Sequence, residues 1–145
     1  MVNQQFATAV HVLTALAFNP NQLLSSESLA LSVNTNPVVI RRLLALLTKA
    51  QLVQTIRGKS GGVQLNKKPE SITLKEVYVA LSPTESIAPR NKSPHKECPV
   101  SCAMHSIMSQ ISEGAHNSVI HYLESQKLSD LIRKIPQKNF KAKND

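Results

Sequence analysis

The feature that most limits what this chain can fold into is a tight turn, Asn34-Thr35-Asn36-Pro37, between two segments with helical periodicity. Upstream of the turn, Ser25 or Ser26 can cap a short helix. Downstream, Asn36 can cap the next helix, and Pro37 suits its first position, where the missing N–H costs nothing. That helix extends to about residue 50, and its apolar residues recur at steps of three and four: Ile40, Leu43, Leu44 and Leu47. Two helices joined by so short a turn predict a helix-turn-helix.

A glycine-rich stretch directly after this pair of helices predicts a β-hairpin. Residues 52–56 and 63–65 have the composition of strands, and Arg57-Gly58-Lys59-Ser60-Gly61-Gly62 separates them. A hairpin in this place is a wing, with Arg57 and Lys59 at its tip. Its glycines allow the backbone to lie close to a sugar–phosphate surface.

The same periodicity predicts the remaining helices, at residues 3–18, 71–81, 99–126 and 129–135. Thr73 and Glu76 are candidates for a capping box in the helix at 71–81. We predict a mainly α fold, a winged helix-turn-helix with a two-stranded wing and a long C-terminal dimerisation helix. Its parts are a winged-helix DNA-binding domain (1–81), a loop that is a possible sensor region (82–98), dimerisation helices (99–135) and a flexible basic tail (136–145).

Positive charge is concentrated around the turn and the wing. The chain has 17 Lys and Arg against 9 Asp and Glu, a formal net charge of +8. Residues 36–69 contain no acid and the following cations: Arg41, Arg42, Lys49, Arg57, Lys59, Lys67 and Lys68. A solvated surface usually mixes both signs, so this block predicts phosphate groups as the partner. Aromatic residues make up only 3% of the chain, which argues against single-strand binding by base stacking.

We therefore predict contacts with double-stranded DNA. The N-terminal half of the second helix of the pair would enter the major groove, where Arg41 can bind a guanine edge and Val38 or Val39 a thymine methyl group. Helix N-termini would bind phosphates, and the wing tip would reach the minor groove or the backbone. The candidate residues are Ser25, Ser26, Thr35, Asn36, Val38, Val39, Arg41, Arg42, Arg57 and Lys59.

The helix predicted at 99–126 has an apolar stripe, and little chain remains to cover it. It either packs on its own domain or packs against a two-fold related copy. We favour the second, because a symmetric pair places two recognition helices in successive major grooves, about 34 Å apart. The predicted interface residues are Met104, Ile107, Met108, Ile111, Ala115, Val119 and Tyr122.

The segments NTNPVVIRRL, RGKSGG and PESITLKEVYVAL together resemble the Rrf2 family of winged-helix regulators, the IscR/NsrR type, over roughly residues 2–135. SVNTNPVVIRRL and ECPV look like the YwnA-like subgroup. The resemblance implies a dimeric bacterial transcription factor, usually a repressor, that binds a palindromic operator. Some members hold an iron–sulfur cluster through three cysteines before the long helix and one further ligand. Others sense oxidants or electrophiles through a thiol in this region.

This chain has two cysteines, Cys98 and Cys102, which are too few for a disulfide scaffold. Cys102-Ala103-Met104-His105 matches the Cys-x-x-His spacing of one type of cluster-binding member, and the third family cysteine is absent. Three interpretations stay open. In the first, both cysteines are ordinary buried residues. In the second, Cys98, which directly precedes Pro99 and so occupies the N-cap position of the long helix, senses oxidants there, because helix N-terminal amides favour thiolate, and Cys102 or a residue of the partner chain resolves it. In the third, Cys98, Cys102 and His105 bind a metal or cluster, one ligand short of a closed site. We assign no cofactor and no metal.

These observations predict a homodimeric, sequence-specific DNA-binding regulator of transcription, a repressor that responds to redox state or metal through Cys98 and Cys102. An alternative is a protein-interaction module whose helix-turn-helix is purely architectural. An enzyme, such as a thiol peroxidase using Cys98, is disfavoured because no Ser/His/Asp or Cys/His catalytic arrangement is visible. The chain has no run of about 18 apolar residues, and its N-terminus lacks the basic region of a signal peptide. We therefore expect a cytoplasmic protein with no membrane partner.

Overall fold

The computed structural model of the protein describes residues 4–81 and 95–136. Within these residues, six helices and one antiparallel hairpin follow each other in the order α1 (Gln4–Phe18), α2 (Ser26–Val33), α3 (Pro37–Lys49), β1 (Val53–Ile56), β2 (Gly62–Leu65), α4 (Leu74–Ala80), α5 (Pro99–Glu124) and α6 (Leu128–Arg133). A 3₁₀ turn at Pro69–Ser71 precedes α4. The predicted mainly α winged helix with a two-stranded wing and a long C-terminal helix is confirmed. The predicted loop up to residue 94 and the predicted tail from residue 137 lie outside the described residues.

One apolar core joins the N-terminal elements and the start of α6. The face of α3 predicted from its periodicity is buried as expected, and it meets the buried face of α1 and the apolar residues of α2 and α4. The least exposed large side chains of this core are Leu13, Leu29, Ile40, Leu47, Leu52, Ile72, Leu128, Val12 and Val77. At roughly 1.5–3 kcal/mol for each large apolar side chain removed from water, this cluster is the main source of stability.

The wing is attached to the helix-turn-helix through the chain before α2. In the hairpin, Val53 pairs with Leu65 and Ile56 with Gly62. Leu24, one residue before the cap of α2, exchanges two backbone hydrogen bonds with Val63 of β2, at 3.0 and 2.8 Å. The base of the wing is therefore hydrogen-bonded to the chain that leads into α2.

The C-terminal helices are fastened to the N-terminal half at the junction of α5 and α6. The amide of Leu74 donates to the carbonyl of Gln126 and the amide of Leu128 donates to the carbonyl of Ile72, both at 2.9 Å. Leu128 is fully buried in the common core, and Tyr78 of α4 lies between the rings of Phe6 and His116. The helix α5 thus packs on α4 along part of its length.

Several element boundaries differ from those predicted. The helix α4 begins at Leu74 and not at residue 71, because the Thr73 hydroxyl accepts from the amide of Glu76 and caps it there. The Glu76 carboxylate bonds to Lys67, so we find only the Thr73 half of the predicted capping box. The helix α6 covers Leu128–Arg133 rather than residues 129–135, since the Asp130 carboxylate accepts from the Lys127 amide and starts the helix early. No described helix combines the length and the apolar character that crossing a membrane requires.

Candidate nucleic-acid interface and cysteine region

The two helices of the helix-turn-helix are held by local capping at both sides of the turn. The Ser25 hydroxyl accepts from the amide of Ser28 at 3.1 Å, and the Asn36 side chain accepts from the amide of Val38 at 2.8 Å. Asn34 closes α2 in the left-handed conformation, with φ of 63°. The Thr35 amide returns to the carbonyl of Ala30. The Ser25 and Asn36 caps give partners to helix amides, and the turn at Asn34 and Thr35 gives partners to the last carbonyls of α2, so the relation between α2 and α3 is well defined.

The outer face of α3 presents the side chains that the sequence nominated for the major groove. Val38 and Val39 are 47% and 44% exposed, which is unusual for large apolar residues with a buried core beside them. Arg41 and Arg42 are exposed as well, while Ile40 between them and the valines is buried. The arginines therefore point away from the core. Ser25, Asn36, Arg57 and Lys59 are also exposed, and Ser26 and Thr35 are half-buried.

A concave surface of about 800 Å³ lies between α3 and the wing. Three cations line it: Arg41 and Lys49 from α3, and Arg57 from the start of the wing turn. Ser26 lies in the same lining, and it is joined by five polar side chains that sequence reasoning did not nominate: Thr48, Gln51, Gln54, Thr55 and Asn66. Arg42 and Lys59 are not among the residues that line this surface. We call this surface the α3–wing cleft.

The turn of the wing depends on two glycines. Gly58 has φ of 111°, a conformation that favours glycine. A Cβ atom at Gly61 would collide with the carbonyl oxygen of Ile56, because the turn folds back on itself there. The amide of Gly61 donates to the carbonyl of Gly58 at 3.0 Å and closes the turn. These constraints fix the path of the turn in which Arg57 and Lys59 lie.

An ion pair that sequence reasoning missed occupies one edge of this surface. The guanidinium of Arg41 donates to the Glu27 carboxylate at 2.7 Å, and both side chains are more than half exposed. Glu27's own backbone N–H and then the Arg41 guanidinium hold the pKa of this carboxyl below its usual value. The sequence contains one signal for this ion pair: Glu27 is the only acid in the first 69 residues, so it is the only acid there that could pair with the nearby cations. Within the described part of the chain, Arg42, Lys49, Arg57 and Lys59 form no ion pair.

The helix α5 exposes a row of large apolar side chains. Of the seven nominated residues, five are exposed and two, Met108 and Ala115, are half-buried against the same chain. Val100, which sequence reasoning omitted, extends the row to the first turn of the helix and is 64% exposed. The exposed members at spacings of three, four and eight residues are Val100, Met104, Ile107, Ile111, Val119 and Tyr122. We call these six side chains the α5 stripe.

Cys98 is the N-cap of α5, as its place before Pro99 predicted. Its sulfur accepts from the amide of Ser101 at 3.5 Å. Cys102 is exposed, and its thiol donates to the carbonyls of His95 and Lys96, at 3.5 and 3.7 Å. Both thiols are free, and Cys98 is half-buried. Neither cysteine is therefore a core residue, and each sulfur bonds to nearby backbone atoms, of Ser101 for Cys98 and of His95 and Lys96 for Cys102.

The comparisons with known proteins agree on one family. The model of the Rrf2 family, described as iron-dependent transcriptional regulators, matches residues 2–134. YwnA of Bacillus subtilis strain 168, whose name describes an HTH-type transcriptional regulator, is 35% identical over 132 residues, which are 91% of this chain and 97% of YwnA. A crystal structure titled as a transcriptional regulator from Lactobacillus plantarum has a TM-score of 0.77 at 26% identity, covering 90% of this chain and 88% of that one. CymR (YrzC), titled the global cysteine regulator of B. subtilis, shares the fold at a TM-score of 0.66 and 23% identity, covering 94% and 98%. The relatives are regulators rather than enzymes.

The iron that the family description implies does not fit the donors this chain offers. A cluster of the [2Fe–2S] type takes four ligands, mostly thiolates, and the sequence has two cysteines. Among residues 4–81 and 95–136, no group of three or more His, Cys, Asp or Glu side chains could hold a metal ion. Cys98, Cys102 and His105 therefore do not form a ligand set within one protomer's described residues.

Proposed function

Since the chain belongs to the Rrf2 family of transcriptional regulators, we propose that it acts as a homodimer that binds a palindromic operator and represses transcription from it. The observation that carries this proposal is the cluster of cations from α3 and the wing on one concave surface, the α3–wing cleft. A duplex backbone is the partner that such a surface fits, because counterion release then supplies most of the affinity.

We assign the individual contacts by their positions. Arg41 and Arg42 lie on the outer face of α3 and would reach base edges in the major groove, where a bidentate arginine–guanine pair is worth about 1–3 kcal/mol of discrimination. Val38 and Val39 would contact thymine methyl groups. The N-terminal residues Ser25, Ser26, Thr35 and Asn36 would bind phosphates. Arg57 and Lys59 of the wing would follow the minor groove or the backbone.

The α5 stripe supports the dimer. Six exposed large apolar side chains on one helix form a patch of the kind that soluble proteins rarely leave in water. A two-fold related copy of α5 would cover it and would set two copies of α3 one helical turn of DNA apart. The chain would then be divided as the sequence suggested, with residues 1–81 binding DNA and residues 99–135 joining the protomers.

The cysteine region would make binding responsive to oxidants. Cys98 and Cys102 are four residues apart at the start of α5, and the Cβ vectors of residues at this spacing diverge in a regular helix, so a disulfide between them is not expected while the first turn is intact. Peroxide would accept the two electrons and two protons of the thiols. The first turn of α5 would have to unwind, which alters the start of the proposed dimer helix.

The role of the cysteines is tested by single substitutions. Cys98→Ser and Cys102→Ser should each abolish a peroxide-dependent change in DNA affinity. A change that persists in both variants would contradict this role.

The DNA-binding residues are tested with an operator selected from a pool of random duplexes. Replacing both Arg41 and Arg42 with Ala should abolish specific binding in fluorescence anisotropy, because the two base contacts assigned to these arginines are lost. A matched control is the double change Arg133→Ala and Lys134→Ala, which removes two exposed cations at the end of α6. Unchanged operator binding by the first variant, with the dimer intact, would refute the assignment.

A further inference from the structure

A second concavity lies away from the cations, between α1, α2 and the chain that follows α6. Its volume is about 470 Å³. His11, Thr14, Ala15 and Phe18 form one wall, and their spacing places them on one face of α1. Ser28 and Ser32, one helical turn apart on α2, face them. Ile135 and Pro136 close one side.

The walls are mainly apolar and carry a few polar groups. No Lys, Arg, Asp or Glu occurs among the described residues that line the cavity. The Nε2 atom of His11 and the hydroxyl of Ser32 are 2.9 Å apart, so they form a hydrogen bond between the two helices. The hydroxyl of Thr14 already donates to the carbonyl of Val10. An apolar cavity of this size with a few polar side chains is the usual form of a small-molecule site.

The lining also sets the chemistry of the occupant. A charged ligand would lose its hydration without gaining an ionic partner, which is costly. The volume suits a molecule of on the order of ten to fifteen non-hydrogen atoms, at about 30 Å³ for each water-sized group. One hydrogen-bonding group on the ligand would suffice for the side chains of His11, Ser28 and Ser32.

We propose that this cavity binds an uncharged, mainly apolar small molecule with one hydrogen-bonding group, and that its binding changes the affinity for DNA. The regulatory half of this statement rests on the proposed function, whereas the binding half does not.

The position of the cavity gives the physical basis for the coupling. Ser28 and Ser32 belong to the first helix of the helix-turn-helix, and Leu24, which also lines the cavity, is bonded to Val63 of the wing. Ile135 and Pro136 follow the helix that is fastened to the end of α5. An occupant would therefore touch the DNA-binding half and the C-terminal half at once, and it would bias any displacement of one against the other.

Indole is a suitable probe because it is uncharged and carries one N–H, and because the protein contains no Trp. Its fluorescence can be excited beyond the tyrosine absorption while the full-length protein is titrated in. We expect a saturable blue shift with increased anisotropy. At a pH where His11 is neutral, indole-3-acetate should bind at least about tenfold more weakly, since its carboxylate finds no Lys or Arg in the lining.

Ala15→Phe fills the cavity from α1 and should weaken indole binding at least about tenfold, and Ala7→Phe, on an exposed site of the same helix, should leave it unchanged. Should Ala15→Phe fail to fold by circular dichroism, Ser32→Phe fills the cavity from the exposed side of α2. An absence of saturable binding, or equal binding by wild type and a folded cavity-filling variant, would overturn the proposal. Binding that appears only in a chain ended at Pro136 would do so too, because the following residues would then be the occupant.

The regulatory half is tested by adding saturating indole to the operator titration. A change in operator affinity of at least about threefold that Ala15→Phe abolishes is expected. Unchanged affinity in the presence of demonstrated indole binding would overturn the coupling alone. Because the fluorescence titration needs no DNA, its failure is distinct from a failure of DNA binding.

Discussion

The ion pair between Glu27 and Arg41 sets an acid beside a recognition candidate, in a region where residues 36–69 contain only cations. The carboxylate orients the guanidinium in the free protein and repels the phosphates of any duplex that approaches. A neutral residue at position 27 should therefore strengthen binding to all sequences while loosening the choice of base that Arg41 makes.

We predict that Glu27→Gln raises the affinity for random duplex several-fold and lowers the ratio of operator to random binding. Anisotropy titrations with both duplexes measure this. Glu70→Gln, which removes an exposed acid from the 3₁₀ turn, is the matched control and should change neither quantity. An unchanged ratio in Glu27→Gln would mean that Arg41 does not read a base.

The same carboxylate makes stability depend on acid pH. The pKa of Glu27 lies below its ordinary value of 4.5, because its own backbone N–H and then Arg41 bond to the ionised form. A pKa lowered on folding gives stabilisation that is fully present above the unfolded value and is lost as pH falls through the folded one. The difference in unfolding free energy between wild type and Glu27→Gln should hold above about pH 4.5 and disappear at lower pH. Urea unfolding at a series of pH values checks it; a difference that is independent of pH would contradict it.

At the scale of elements, the wing is the part whose shape depends most on single residues. Its turn is closed by the Gly61–Gly58 hydrogen bond, and there is no room for a side chain at Gly61. Because Arg57 and Lys59 lie in this turn, a change in its path displaces two of the proposed backbone contacts without touching α3.

Gly61→Ala should therefore force the turn open, cost about 1–3 kcal/mol of stability, and reduce operator affinity by about ten- to a hundredfold with a shallower salt slope. Thermal unfolding and anisotropy titrations measure the two effects. Ser60→Ala, at the neighbouring exposed position, should be close to neutral in both. Full DNA affinity in Gly61→Ala would show that the wing makes no contact.

The helix ends are the elements that local sequence predicted best. Ser25, Asn36, Thr73 and Cys98 all act as caps, as nominated, because each cap depends only on a residue two or three positions away. The start of α6 was predicted one residue late, since its first turn is fixed by Asp130 together with the bond from Leu128 to the distant Ile72.

At the scale of the whole molecule, the α5 stripe and the DNA-binding surface are parts of one proposed symmetric assembly. We predict that Ile111→Lys, which would place a charge in the stripe of each protomer, converts the dimer to monomer at micromolar concentration and weakens operator binding at least about a hundredfold, since each half-site is then bound alone. Sedimentation velocity measures the first effect and anisotropy the second. Asn117→Lys adds the same charge to an exposed site of α5 outside the stripe and should leave both unchanged. A dimeric Ile111→Lys protein would exclude the stripe as the interface.

The sequence by itself determined the helix-turn-helix, the glycine-closed wing, the cation block and the apolar row of the long helix. Each of these features depends on residues that are close together in the chain, through helical periodicity, capping and turn chemistry. Only the tertiary structure decided that Arg41 meets Glu27, that Lys49 and Arg57 share one cleft, that Met108 and Ala115 turn towards their own chain, and that α1, α2 and the end of α6 enclose a cavity. These arrangements depend on the angles at which distant elements pack, which are set by the shape of the whole core and by no local pattern of residues.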